Sequence, residues 1–367
     1  MNILLFAIIL AVLVLVHEFG HFIVAKKSGI RVDEFGIGFP PKLYGKKYGE
    51  TEYTINAIPF GGFVKIFGEN PDEESTNGPG SERSFVNKPK LTQVAVLSAG
   101  VFFNLLFAWA LLTSGFLIGL PSSDSEQISA GTISNVSLTV VEVMKDTPAQ
   151  IAGMQTGDKI LSVSFEKEAS AKVTPEAFQK FVNEHDAKEI SVLIRRGSEE
   201  KTVLVTPKRG IVKGGKSAIG IAMDMVGVMR LPAHRAVYEG GRLTLLYTQE
   251  TFRGLYHLLA NALRGKGDMS SVSGPVGIVK IVGDASQLGI TYLISLTALI
   301  SINLAVINIL PIPALDGGRV FFILIETIKR SPIKAHTANL AHSIGFVVLI
   351  GLIIVITFHD VWTLFAK

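Results

Sequence analysis

Residues 17–21 read His-Glu-Phe-Gly-His. On a helix, positions i and i+4 share a face, so the imidazoles of His17 and His21 can converge on one metal ion. Glu18 is rotated away by about 100°. It can stay outside the coordination sphere and accept a proton from attacking water, whose pKa a zinc ion lowers to about 7. Alone, the pattern also recurs in ordinary soluble helices. Here it lies within an apolar run, where each unused charge costs at least about 2–3 kcal/mol to bury. Phe22, Ile23, Val24 and Ala25 extend that run beyond the motif, so a span ending at Val16 does not account for it.

A catalytic zinc site needs three protein ligands and one open position. The chain has no cysteine, which leaves imidazole and carboxylate as donors. Asp316 is the candidate third ligand. It ends the third apolar run, in a stretch carrying Asn303, Asn308, Pro311, Pro313, Gly317 and Gly318. The two prolines forbid a regular helix there and free backbone polar groups, which membranes tolerate where the chain lines a wet cavity. The plainer alternative makes Asp316 a cap or turn residue at the membrane surface.

The elements that must position these residues follow from hydropathy. The 367 residues are 48% hydrophobic and 18% charged, with the apolar residues gathered into long runs. The expected fold is a polytopic α-helical membrane protein with about four transmembrane helices, a membrane-associated β-hairpin or sheet, and an inserted α+β domain. The spans are placed at 1–25, 91–120, 288–318 and 340–360. The first lacks the basic start and cleavage pattern of a signal peptide.

Between the first two spans, 26–90 carries both signs of charge. Within it, 52–67 has strand-like residues broken by Pro59 and Gly61–Gly62, and 70–82 is expected to be a polar loop. The insert, 130–208, alternates strand patterns such as KILSVSF and EISVLIRR with one helical piece, PEAFQKFVNEH. Leu245, Phe252, Leu255, Leu259 and Leu263 recur near helical spacing and predict an amphipathic membrane-associated helix over 238–266.

The net charge of +4 comes from basic residues mixed with acids, and no nucleic-acid motif is present. Nucleic acid is therefore not an expected partner, and the lipid bilayer is. Lys and Arg concentrate in 26–90 and at Arg319, Lys329, Arg330 and Lys334, which places those loops on the cytoplasmic side and the insert outside.

Two distant motifs, HEFGH and NxxxxNxxPxPxLDGG from Asn303 to Gly318, resemble the site-2 protease family. The similarity is to its bacterial sigma-E regulator protease group, and FGIGF at 35–39 and TEYTINAIPFGGFVKI at 51–66 add to it. The resemblance implies one zinc ion per chain held by His17, His21 and Asp316, with Glu18 as general base. It implies that Gly36 and Gly38 lie on a membrane re-entrant β-loop that presents substrate, and that Asn303 and Asn308 handle substrate near the cleavage site. Left to their residue types alone, the glycines equally suit a tight turn and the asparagines helix–helix hydrogen bonds.

DTPAQIAGMQTGDKILSV, 146–163, resembles a PDZ domain, which implies peptide contact or substrate gating. Ser273–Ile278 (SGPVGI) also recurs in the group. Expected substrates are single-span membrane proteins already cut by another protease, such as anti-sigma factors or signal-peptide remnants. The expected location is the cytoplasmic membrane of a bacterium, with the active site reached from the cytoplasmic side. Two other classes compete: a non-proteolytic metal-binding scaffold or transporter, which would not need Glu18, and a PDZ-tethered adaptor, which would need neither histidine.

Overall fold

The computed structural model describes residues 2–123, 133–166, 168–170, 174–197, 199–212, 215–265, 273–331, 333 and 335–365. Lys334, the first residues of the expected insert (130–132) and residue 266 lie outside these. Contact clustering divides the chain into two units, one of 1–112, 240–283 and 294–367, the other of 113–239 and 284–293.

The first unit begins with α1, Asn2–Lys27. Of its buried positions, Ile9, Leu13, His17, Gly20, His21 and Ala25 follow the helical repeat and form one stripe, and Ala7 is buried as well. Strands β1 (Val32–Tyr48) and β2 (Thr51–Ile66) follow. They are long enough to pair twice: 32–37 lies between 62–66 and 52–55, and 42–48 pairs with 51–56. Two strands thus act as four, with 62–66 at one edge and 42–48 at the other. The sequence located strand character only in the second of them.

The expected loop at 70–82 is instead built. Asp72 and Ser75 form a reciprocal capping box that starts α2, Glu73–Asn77, and a 3-10 turn follows at Ser81–Arg83. Asn87 Nδ2 donates to the carbonyls of Thr76 (3.0 Å) and Ser81 (2.8 Å), tying these turns together. Helix α3 spans Lys90–Ile118. Ala25, Ile30, Val32, Ile66, Phe85, Val96, Leu97 and Ile323 form a shared core where α1, the sheet and α3 meet.

The second unit is a sheet of β3 (Leu120–Ser123), β4 (Ile133–Val143), β5 (Lys159–Phe165), β6 (Glu168–Ser170), β7 (Ile190–Arg196), β8 (Glu199–Val205) and β11 (Ile221–Met229). Their order is β3-β11-β4-β5-β7-β8, with β6 against β5. A short pair, β9 (Lys208–Arg209) and β10 (Ser217–Ala218), stands apart. Helices α4 (Pro148–Ile151) and α5 (Pro175–Glu184) belong to it. Thr174 caps α5 by accepting from Ala177 N, and Phe178, Phe181 and Val182 enter the core with Leu138, Ile160, Val192 and Ile194.

The insert therefore does not stop at 208. Strand β11 is an inner strand of its sheet, reached through a Gly- and Lys-rich stretch that reads as a linker. A groove of about 220 Å³ runs between α5 and the segment from Ser217 to Met223.

The remaining helices are α6 (Ala233–Leu263), α7 (Pro275–Leu288), α8 (Ile290–Asn308), α9 (Asp316–Lys329) and α10 (Ala335–Phe365). Among the described residues, four helices are long and apolar enough to cross a membrane: Asn2–Lys27, Lys90–Ile118, Ile290–Asn308 and Thr337–Trp362. The third is shorter than the expected 288–318. It stops at Asn308 because Pro311 and Pro313 cannot continue it, and the chain turns before α9 begins.

Candidate metal centre

The i, i+4 spacing in α1 sets His17 and His21 side by side, with their Nε2 atoms 3.2 Å apart. Asp316, the first residue of α9, brings its Oδ2 to 2.9 Å from His17 Nε2 and 3.3 Å from His21 Nε2. Three donors contributed from opposite ends of the chain thus form a nearly equilateral triangle. Among the described residues, this is the one group of three or more His, Cys, Asp or Glu close enough to share an ion.

The chain between α8 and α9 explains how Asp316 arrives. Ala314 adopts φ 86°, and the segment folds back on the start of α9. Gly317 and Gly318 lie so near the carbonyl oxygens of Ile309 and Ile312 that a β-carbon at either would collide. The paired glycines after the aspartate are thus required by close backbone approach.

The donor set fits zinc. Two nitrogens and one carboxylate oxygen suit it, and tetrahedral bonds of about 2.0–2.1 Å separate donors by about 3.3–3.4 Å. His21 Nδ1 lies 2.8 Å from the Val96 carbonyl, which can only accept. With Nδ1 donating to that carbonyl, the neutral ring turns its Nε2 lone pair toward the Asp316 oxygen, the arrangement in which it can hold a metal ion.

Helix α3 leaves room for one. A β-carbon on Gly100 would lie 2.7 Å from His17 Nε2 and closer still to His21 Nε2, filling the space the ion needs. Opposite it, Gly20 of α1 lies against Ala99 O and Gly100 Cα, so α1 and α3 meet with no side chain between them.

Behind His17, the Asn104 side-chain amide is 3.2 Å from Nδ1, and its Oδ1 is buried with no partner. Turning that amide over lets the oxygen accept from Nδ1–H, the arrangement that would free Nε2 to hold an ion. Ser301 of α8 donates to the Asn104 carbonyl at 2.8 Å and ties α3 to α8.

Glu18 stands beside the triangle. Its Oε2 accepts from Val64 N at 3.1 Å, on the outer side of strand 62–66. Below it, Arg319 pairs with Glu69, and burial holds that carboxyl above its usual range while the guanidinium opposes the shift.

The other expected residues divide. Asn308 Nδ2 is 3.5 Å from His17 Nε2, at the centre. Asn303 accepts from Thr251 Oγ1 of α6 at 3.0 Å, which is a helix–helix hydrogen bond. Gly36 and Gly38 lie near the sheet's interior: Gly36 pairs with both Phe63 and Thr54, and Phe63 covers it so closely that a β-carbon would clash. Gly38 has φ 78° and supplies the turn. The edge strand beside Glu18 is 62–66, where Gly62 and Ile66 are buried and Lys65 is exposed.

Three residues went unmarked in the sequence: Asn104, Gly100 and Val64. An amide at the middle of an uncharged span is a signal that finds the first.

The profile of peptidase family M50 matches residues 5–352. A candidate zinc metalloprotease of Clostridium perfringens is 35% identical over 349 residues, covering 95% of each chain. The zinc metalloprotease RasP of Geobacillus kaustophilus is 29% identical over 430 residues, covering 99% of this chain and 98% of the relative. A solved PDZ domain from Listeria monocytogenes aligns with 25% of this chain and 92% of its own, at 18% identity and a TM-score of 0.21.

The chain belongs to peptidase family M50, the site-2 proteases. It is an intramembrane zinc metalloprotease.

Proposed function

We propose that His17, His21 and Asp316 hold a single zinc ion, that Glu18 is the general base, and that the enzyme cuts within or near the transmembrane segment of single-span proteins. The observation that carries this reading is the triangle of two imidazoles and a carboxylate, with a second carboxylate tethered beside it. When bound, zinc polarises a carbonyl and lowers the pKa of water to about 7.

The protein's own groups do the rest. Glu18 accepts the proton of the attacking water and delivers it to the leaving amine. The Asn308 amide is near enough to donate a hydrogen bond to a carbonyl held at His17. An intact substrate helix hides its carbonyls in internal hydrogen bonds, so the cut segment must first unwind. Strand 62–66 offers that segment an edge to pair with, next to Glu18.

Lys and Arg in the loops after α1 and around α9 favour a centre opening to the cytoplasm, with the insert on the far side. The insert, read as a PDZ-like domain, admits substrates whose outer part another protease has removed.

The test is cleavage, in membranes, of a model single-span substrate lacking its outer domain, with zinc content measured in parallel. Wild type cuts and Glu18→Gln binds zinc without cutting. Cutting by both would take Glu18 out of the reaction.

A further inference from the structure

Helix α10 is the least embedded of the four apolar helices, with 6% of its span buried against 28–39% for the others. Its hold on the metal centre is concentrated at one place. Ala314, two residues before Asp316, has φ 86°, a left-handed conformation that a residue with a β-carbon keeps only when its surroundings impose it. The Ala314 N–H donates to Nδ1 of His342 on α10 at 2.9 Å. One turn further along, Gly345 lies against the Pro313 carbonyl, so closely that a β-carbon would collide. Phe322 of α9 meets the His342 ring edge-on, with centroids 5.3 Å apart.

The imidazole is therefore wedged between the helix that starts at Asp316 and the turn that leads into it. Because an amide N–H donates, Nδ1 must offer its lone pair.

We propose that His342 is a positioning residue for the metal centre, acting as the hydrogen-bond acceptor that fixes the left-handed Ala314 turn and so aims the Asp316 carboxylate at His17 and His21. This rests on the reading of Asp316 as a metal-holding residue. Without the acceptor, the Ala314 amide loses its partner and the turn relaxes toward negative φ. The peptide planes leading to Asp316 then rotate, and the third donor leaves the triangle. The role belongs to Nδ1 and not to the ring's bulk, which separates it from simple packing.

The experiment is competition for zinc between a chelator and the full-length protein, comparing wild type, His342→Phe, His342→Asn and Asp316→Asn. Phenylalanine keeps a ring against Phe322 but cannot accept. Asparagine loses the ring, but its Oδ1 accepts from about the position of Nδ1. The expected result is a zinc affinity about 10–100-fold weaker in His342→Phe, as for other residues that orient a ligand, and near wild type in His342→Asn. Wild-type affinity in His342→Phe, or equal loss in both variants, overturns the proposal. Asp316→Asn separates the two levels: undiminished zinc binding there sinks the reading of Asp316 itself. Loss in Asp316→Asn with none in His342→Phe sinks the role of His342 alone.

Discussion

The Val64 amide donates to the Glu18 carboxylate at 3.1 Å, joining the edge of the sheet to the helix that carries both histidines. Glu18 is thereby held beside the donor triangle and out of it. That one amide couples the strand edge to the proposed general base. Position and chemistry are built from the same few atoms.

Glu18→Gln removes the proposed proton acceptor and keeps the shape. Cleavage should fall about 10²–10⁴-fold, the usual contribution of a general base, with zinc content unchanged. Glu18→Asp keeps the charge but withdraws it by one methylene from Val64, and it should fall between the two. Turnover of a model substrate and metal analysis on the same preparations check both.

Asn104→Leu takes away the partner of His17 Nδ1 at a fully buried position. Zinc affinity should drop about 10–100-fold, read by chelator competition. Unchanged affinity would show that α1 packing alone orients His17.

Gly100→Ala leaves every donor in place and adds one methyl against both Nε2 atoms. Zinc content should fall toward zero while α-helical circular dichroism is retained. Full occupancy would mean that α3 can retreat from α1 at little cost.

Glu50 accepts from both guanidinium nitrogens of Arg83 (2.6 and 2.8 Å) and from Lys26 (2.6 Å), and these hydrogen bonds, Arg83 first, pull its carboxyl down to about 2. A folded pKa below the unfolded value of about 4.3 means the contribution is complete above that pH and is lost as pH falls toward 2. The pair is partly exposed, so Glu50→Gln should cost about 1 kcal/mol or less at pH 6. The gap should close near pH 2. Denaturation of both proteins at the two pH values measures it, and a constant gap contradicts the assignment.

Polar residues inside apolar runs made much of the centre legible in the sequence. His17, Glu18, His21 and Asp316 are costly where they stand, and the prolines before Asp316 announce a broken helix. Asn104 escaped because it carries no charge, and it was ionisable residues that marked the spans. Gly100 escaped because glycine is ordinary in membrane helices, and its meaning lies in what faces it. Strand β11 was missed because its pairing partners, 133–143 and 120–123, lie some 80–100 residues earlier in the chain. The capping box at Asp72 closes on Ser75 in place of the usual Glu or Gln, so the turn it builds read as a loop.

The bare contact between Gly20 and Gly100 bears on how inactive members of such a group can be recognised. If Gly100→Ala empties the site as expected, a protein can keep HEFGH and LDGG letter for letter and still have nowhere to put an ion, because a side chain stands where Gly100 does here. Motif inspection would score that protein as an enzyme. A single position on a different helix, eighty residues downstream and chemically featureless, would identify it as a pseudoprotease.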